Sequence, residues 1–463
     1  MSDPVETIDE TAEAAPSVDV PAQLIADIVE ALLARDTAGL LALFEELHPA
    51  DAADAIEQLT WEQQVLLVEL APELLTGPVL AELVEETRAD IAGVLEPRHL
   101  AEAIQGLDSD DMTMIVEELD EAKREAVLAE LSEADRIQLE TSLAFEEDTA
   151  GRLMQREFVA APHFWNVGHT IDHMRKAGED LPYLFFEIFI VDESFKPIGV
   201  VPVSRLMRTK REVPLSELME PNHVIIRPEI DQEEAAYLFE KYHLISAPVV
   251  DEDGRLSGML TVDDMVDVIQ EENTEDLYAL AGVNDASLAD TVFSSVKSRA
   301  PWLLVNLGTA VLASGVIALY DDAIAQLVAL AVLMPIVASM GGNAGTQALA
   351  VAVRSIASRD LTVSNSMRVI WREFAAGAVN GLIFAVVMGL VAGLWFQNAA
   401  LAWVIAAAMV INLACAGLAG ILVPLGLKRF GADPAVASSV FVTTVTDVVG
   451  FFAFLGLGAM VLL

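Results

Sequence analysis

Five apolar segments lie towards the C-terminal end of the chain, at about 301–320, 324–353, 374–396, 399–427 and 435–462. Each reaches the roughly 20 apolar residues that a helix needs to cross a bilayer. The breaks between them alternate in charge: Asp321-Asp322, then Arg354 to Arg372, then Gln397-Asn398, then Lys428-Arg429. Positive charge stays on the cytoplasmic side of a membrane. With Lys297 and Arg299 ahead of the first span, all five boundaries agree on one topology. The N-terminus is cytoplasmic and the C-terminus outside, in the cytoplasmic (inner) membrane.

The last segment contains SSVFVTTVTDVVG, Ser438–Gly450, in which Asp447 is the only charge between Ala435 and Leu463. An ionised carboxylate at bilayer depth costs at least roughly 2.5–3.5 kcal/mol. Water, a cation or a protein partner must offset that. On a helix Thr443 shares a face with Asp447, four residues on, and Thr444 flanks it. The arrangement reads as a cation pathway; the alternative is a structural Asp bonded to a neighbouring helix. Intramembrane acids are functional by default, which favours the first. The second segment holds Pro335 and then Gly341-Gly342-Asn343-Ala344-Gly345-Thr346-Gln347. These residues predict a bent or broken helix whose freed carbonyls, with Asn343, Thr346 and Gln347, face a polar path. Small-residue helix packing is the alternative.

The formal net charge is -45. From residue 301 onward six basic residues (Arg354, Arg359, Arg368, Arg372, Lys428, Arg429) balance six acidic ones (Asp321, Asp322, Asp360, Glu373, Asp433, Asp447), so the whole excess lies in residues 1–300. Such a half repels nucleic acid and anionic lipid and attracts cations; acidity for solubility alone is the plainer reading. The single cysteine, Cys415, leaves no internal disulfide. Residues 1–20 are acidic and polar, which predicts a disordered tail and no signal peptide.

From 21 to 145 Leu and Ile recur at helical spacing, as in Leu24, Ile28 and Leu32. Leu47–Leu59 (LHPADAADAIEQL) matches Leu95–Leu107 (LEPRHLAEAIQGL) at an offset of 48, with Pro49 and Pro97 as helix starts. Repeated helical hairpins of this kind stack into an all-α superhelix. A second repeat follows, in which VDESFKPIGVVPVSRLM from Val191 matches VDEDGRLSGMLTVDDMV from Val250 at an offset of 59. Earlier in each copy, Met154 and Val159 recur as Met219 and Val224 at an offset of 65, so the first copy has six extra residues near Ala177–Phe185. Each copy reads strand, helix, strand, turn, strand, helix. These tandem copies resemble an α/β pair of CBS domains, over 146–212 and 213–271, and some such pairs bind adenine nucleotides. Residues 272–299 begin acidic and turn helical and amphipathic from Asn284, a stretch suited to connect the pair to the membrane segment 300–463.

In order, EEDTAGRLM (146–154), TVDDMVDV (261–268), TEDLYALAGV (274–283), RAPWLLVNL (299–307), MPIVASMGGNAGTQ (334–347) and TTVTDVVG (443–450) resemble the MgtE family of magnesium channels and transporters. The resemblance runs from about residue 21 to the end. It implies a multidomain membrane protein: an all-α superhelical N-terminal domain, a tandem CBS pair, a connecting plug helix and five transmembrane helices. It implies a homodimer in the lipid bilayer with a pore on the two-fold axis, lined by the second and fifth spans. It also implies that Mg2+ bound between acidic cytosolic domains holds the pore closed, and that ATP or another adenine nucleotide is a candidate ligand of the CBS pair. Carried over residue by residue, the pore set is Asp447, Gly342, Asn343, Thr346, Thr443 and Ser439. The sensor set is Asp110, Asp231, Glu233, Asp264, Asp267 and Glu275. Thr346 and Ser439 stand where a well-known branch has asparagines, and His243 where it has an aspartate.

Mg2+ prefers hard oxygen ligands and often keeps its waters, which carboxylates and hydroxyls suit. A broader divalent transporter taking Mn2+, Co2+ or Ni2+ fits the same donors. A membrane enzyme regulated by CBS domains is disfavoured, because the spans hold no His/Glu zinc motif and no nucleophile–base set. A non-conducting sensor needs only anchors and leaves Asp447 unexplained.

Overall fold

The computed structural model describes residues 20–178, 181–182, 184–221, 224–283, 292–362, 364–436 and 438–463. They fall into two compact units, Met1–Val268 and Ile269–Leu463.

The first unit opens with ten α-helices: α1 (Ala22–Ala34), α2 (Thr37–Phe44), α3 (Pro49–Glu57), α4 (Trp61–Leu70), α5 (Gly77–Glu82), α6 (Glu85–Val94), α7 (Pro97–Ile104), α8 (Ser109–Glu117), α9 (Glu121–Glu130) and α10 (Glu133–Ser142). Local chemistry starts them. Asp36, Asp120 and Ser132 accept hydrogen bonds from first-turn N–H groups of α2, α9 and α10. Gln63 accepts from the Thr60 N–H to close a capping box on α4. Pro49 and Pro97 each occupy the first helical position, so the repeat at an offset of 48 is a repeated helix start. The helices bury one shared core that includes Ile28, Leu32, Leu40, Ile56, Leu67, Leu80, Ile91, Ile104 and Ile115. The disordered-tail expectation for 1–20 falls, up to residue 19, outside the described residues.

The tandem copies follow. The first contains β1 (Ala160–Pro162), α11 (Val167–Ala177), β2 (Glu187–Val191), β3 (Pro197–Pro202) and α12 (Val203–Arg208), then α13 (Leu215–Leu218) and β4 (Glu220–Pro221) lead into the second. The second contains α14 (Gln232–Tyr242), β5 (Ser246–Val250), β6 (Leu256–Thr261) and α15 (Val262–Ala281). The hairpins β2–β3 and β5–β6 are antiparallel, and each has its irregularity at the same place, Ile190/Val191 and Val249/Val250. Nine residues part α11 from β2 and three part α14 from β5. The six extra residues of the first copy therefore lie there, with 179, 180 and 183 outside the described residues.

The copies exchange edges. β4, near the start of the second copy, pairs with β3 of the first, and Gln155, near the start of the first copy, bridges to Met259 of the second. This explains the repeated glycine. A Cβ on Gly199 would lie 2.7 Å from the Glu220 carbonyl oxygen, and one on Gly258 2.8 Å from that of Gln155. Phe158, Phe189, Val191, Leu256 and Met259 close the seam between the copies.

In the second unit, α16 (Val292–Ala318), α17 (Asp321–Gln326), α18 (Ala329–Ala357), α19 (Ser366–Phe396), α20 (Ala399–Arg429) and α21 (Ser438–Leu462) follow the end of α15. Five of these helices are long and apolar enough to cross a membrane: Ser295–Ala318, Ala329–Ala357, Ser366–Phe396, Ala399–Arg429 and Ser439–Leu462. The connecting stretch 272–299 is thus shared between the end of α15 and the start of α16, and its middle, 284–291, lies outside the described residues. α20 is the most buried span and packs against α18, α19 and α21.

The expected break in the second span is overturned. The second span is neither broken at Pro335 nor irregular at Gly341–Gln347, because α18 runs through both. Pro335 withdraws a single N–H donor, which a membrane helix tolerates when neighbours pack against it. The glycines serve close approach instead. A Cβ on Gly345 would lie 2.5 Å from the Val442 side chain of α21, and one on Gly420 of α20 2.6 Å from the Ala348 Cβ. The same device joins α19 to α20, where a Gly377 Cβ would lie 2.4 Å from the Leu413 carbonyl oxygen. Gly377→Ala is expected to destabilise the detergent-solubilised protein by about 1–3 kcal/mol. Gly393→Ala, whose Cβ meets only the Ala402 Cβ at 3.4 Å, is expected to leave thermal unfolding unchanged. Equal unfolding temperatures for the two variants would refute this packing account.

Candidate ion pathway and cation-binding site

α21 places Asp447 half-buried. Among the described residues no lysine, arginine or hydrogen-bond donor partners its carboxylate. The hydroxyls near it are turned into acceptors by their own helix. Thr443 Oγ1 donates to the Ser439 and Val440 carbonyls at 2.9 and 3.0 Å, and Thr444 Oγ1 to the Val440 carbonyl at 2.6 Å. Thr446, fully buried, donates to the Thr443 carbonyl at 2.9 Å. With its proton committed to the backbone, each hydroxyl oxygen offers lone pairs. The face around Asp447 is therefore rich in acceptors and suited to a cation.

α18 meets this face at Gly342, where a Cβ would lie 3.8 Å from Thr443 Cγ2, and at Gly345 against Val442 and Thr446. Gly342 and Thr443 are thus brought together. Asn343 and Thr346 sit on the exposed side of α18, and Thr346 Oγ1 donates to the Gly342 carbonyl at 3.0 Å. Ser439 is half-buried one turn below Thr443.

The first unit holds a second acidic feature. Asp108 precedes α8, which begins Ser109-Asp110-Asp111, and α15 has Asp263 and Asp264 in its first turn. Glu157 fixes the start of α8: its Oε2 accepts from the Ser109 N–H and Oγ at 3.0 and 2.9 Å, and its Oε1 from Gln138 Nε2 at 2.7 Å. Held there, Asp110 faces Asp264 closely enough for the two charges to repel. Asp110 Oδ1 is sealed from solvent without a hydrogen-bond partner among the described residues. Burial first, then Asp264 and Asp111, push the Asp110 carboxyl well above the usual range. Burial does the same to Asp264, with Asp263 and Asp111 adding, although the Thr261 hydroxyl donates to it. Asp111 is pushed up to about 6 by burial and Asp108. These are hard oxygen donors whose charge is poorly compensated, a set that fits a divalent cation bound through two carboxylates and its own waters.

The other proposed sensor residues are not gathered here. Asp231 caps α14 by accepting from the Glu233 N–H at 2.9 Å, and both side chains are exposed. His243 ends α14 in a left-handed conformation, φ 54°. Asp267 is exposed one turn along α15 from Asp264, and Glu275 is exposed on α15 in the second unit. No group of three or more His, Cys, Asp or Glu that could hold a metal exists among the described residues. Sequence reasoning missed Asp108, Asp111, Asp263 and Glu157. Only tertiary contact brings them to Asp110 and Asp264.

Residues 334–457 match the family model MgtE, a divalent cation transporter. Residues 47–148 match the MgtE intracellular N domain, and 215–271 match the CBS domain. The magnesium transporter MgtE of Thermus thermophilus is 31% identical over 450 residues, covering 95% of this chain and 99% of that one. The chain belongs to the MgtE family. The magnesium transporters MgtE of Enterococcus faecalis and Bacillus subtilis are each 31% identical, over 70% and 68% of this chain. Among solved structures, the cytosolic domain of the Mg2+ channel MgtE in complex with ATP is 33% identical, covers 53% of this chain and 99% of its own, and has a TM-score of 0.48. MgtE membership accounts for the order of parts seen here: helical domain, CBS copies, then five long apolar helices. It makes the chain a member of a transporter family rather than an enzyme.

Proposed function

We propose that the chain imports Mg2+ across the cytoplasmic membrane along a path lined by α18 and α21, with Asp447 as the carboxylate that meets the ion. The observation that carries this is a carboxylate on a membrane helix with no partner among the described residues, beside hydroxyls whose protons are already committed. The pathway residues are Asp447, Thr443, Ser439, Gly342, Asn343 and Thr346. Carboxylate and hydroxyl oxygens hold a hydrated divalent ion weakly enough to release it. Each elementary charge entering a negative cell gains about 2.3 kcal/mol per 100 mV, and a divalent ion twice that.

The exposure of Asn343 and Thr346 on one chain supports a homodimer whose pore lies between subunits. The charge pattern of the loops supports a cytoplasmic N-terminus and an outer C-terminus. The domains are then the helical domain 21–145, CBS copies 146–212 and 213–271, connector 272–299 and membrane domain 300–463. Regulation rests on Asp110 and Asp264, with Asp108, Asp111 and Asp263 beside them. Cytosolic Mg2+ bridging these carboxylates replaces repulsion with shared coordination and favours the closed state. Asp231, Glu233, Asp267 and Glu275 are offered as further sensor residues, and the CBS pair as a site for an adenine nucleotide such as ATP. The test is ion flux through purified protein in liposomes with the cation varied, on material shown by mass measurement in mild detergent to be dimeric. Mg2+ flux above that of Mn2+, Co2+ and Ni2+ is expected. Equal flux of all four would favour a broader divalent transporter, and no flux would refute transport.

A further inference from the structure

The fourth span carries an amide that neither the pathway nor the sensor uses. Asn412 of α20 is 0% exposed. Its Nδ2 donates to the Val337 carbonyl of α18 at 2.8 Å. Its Oδ1 is sealed from solvent without a partner among the described residues. The amide fills space that two glycines leave open: a Cβ on Gly341 of α18 would lie 2.2 Å from Nδ2, and one on Gly450 of α21 2.7 Å from it. Gly341 adjoins Gly342, and Gly450 follows Asp447 by three residues, so both glycines border the pathway residues on their helices.

Stability does not account for this amide. A buried acceptor left unpaired is destabilising, whereas an apolar group of similar shape in place of a polar pair is close to neutral. Polar residues inside spans are rare and mark function. The hydrogen bond adds direction. Small-residue contacts carry no direction of their own, while a bond to one named carbonyl specifies register, the best-attested use of a buried polar group. We propose that Asn412 is a positioning residue for the ion pathway: clasped between Gly341 and Gly450, it holds α18 and α21 in the register that sets Gly342 beside Thr443, one turn from Asp447. This rests on the pathway reading above, and Asn412 itself does not touch the ion.

Two variants replace the amide by carbon while keeping the space filled: Asn412→Leu, and Asn412→Ala combined with Gly450→Ala. Both are measured as full-length protein in liposomes beside Asp447→Ala. Both are expected to unfold no earlier than the parent, to take up Mg2+ about tenfold more slowly, and to discriminate less between Mg2+ and Mn2+ or Co2+. Parental uptake and cation ranking in both variants would overturn the proposal. So would slower uptake with the ranking unchanged, because a smaller active fraction does that. Failure of both variants to accumulate folded would make Asn412 purely structural and overturn it equally. Failure of the pathway reading is separate and would show as normal uptake by Asp447→Ala.

Discussion

Replacing Asp447 by alanine is expected to reduce Mg2+ uptake to the level of empty liposomes while leaving the protein folded. The two halves of that result have different causes. The carboxylate is the only charge on α21, so its removal leaves hydroxyls and carbonyls alone to replace the hydration of a divalent ion. Asp447→Asn keeps the shape and two oxygen or nitrogen groups but not the charge. Its uptake should fall at least about tenfold, since each 1.4 kcal/mol of lost cation stabilisation is a factor of ten. Stability should not fall in either variant, because no described residue of the chain pairs with Asp447 and alanine removes a half-buried charge. An Asp that bonds a neighbouring helix for structural reasons predicts the reverse: early unfolding with flux per folded protein intact. Early unfolding with intact flux in Asp447→Ala would remove Asp447 from the pathway.

The membrane segments were legible because length and apolarity alone decide them, and the five helices fall where five apolar runs were read. The CBS copies were legible because a repeat states the same constraints twice. Gly199 and Gly258 then needed only the exchanged edges to explain them. The second span was misread for a physical reason. Gly341 and Gly345 weaken a helix in water, where backbone can bond solvent, but between α20 and α21 they are seats for Asn412 and Val442. The acidic cluster was half legible. Asp110 and Asp264 come through the family resemblance, but their meeting depends on Glu157 capping α8 from a site 48 residues on. Periodicity carries no trace of such a contact. Asn412 left a signal, a lone amide in an apolar span, that points to a role without naming its partner.

Replacing Asp110 and Asp264 together by asparagine is expected to stabilise the first unit and to abolish its response to Mg2+. An unperturbed aspartate titrates near 4 (about 3.9). Burial, then the neighbouring carboxylates, hold Asp110 and Asp264 above that, and Asp111 titrates at about 6. As pH rises through this window the unfolded chain has already released protons that the folded unit keeps. Stability therefore falls with rising pH, and the repulsion is fully present above the folded values. Glu118, pushed up to about 7 by burial despite its ion pair with Arg88, titrates in the same window. The difference between parent and double variant, rather than the slope of either, isolates the cluster. Without Mg2+ and above pH 7, the variant should unfold at the higher temperature, by about 2–4 °C for each kcal/mol of repulsion relieved. Mg2+ competes with the same protons, so its protection of the parent should be largest above pH 7 and fade towards pH 5. In transport, the variant should keep conducting when internal Mg2+ is high. A purely solubilising role for these acids predicts that Na+ at equal ionic strength protects the parent as well as Mg2+ does, and that the variant still closes; finding both would sink the sensor and leave Asp447 untouched.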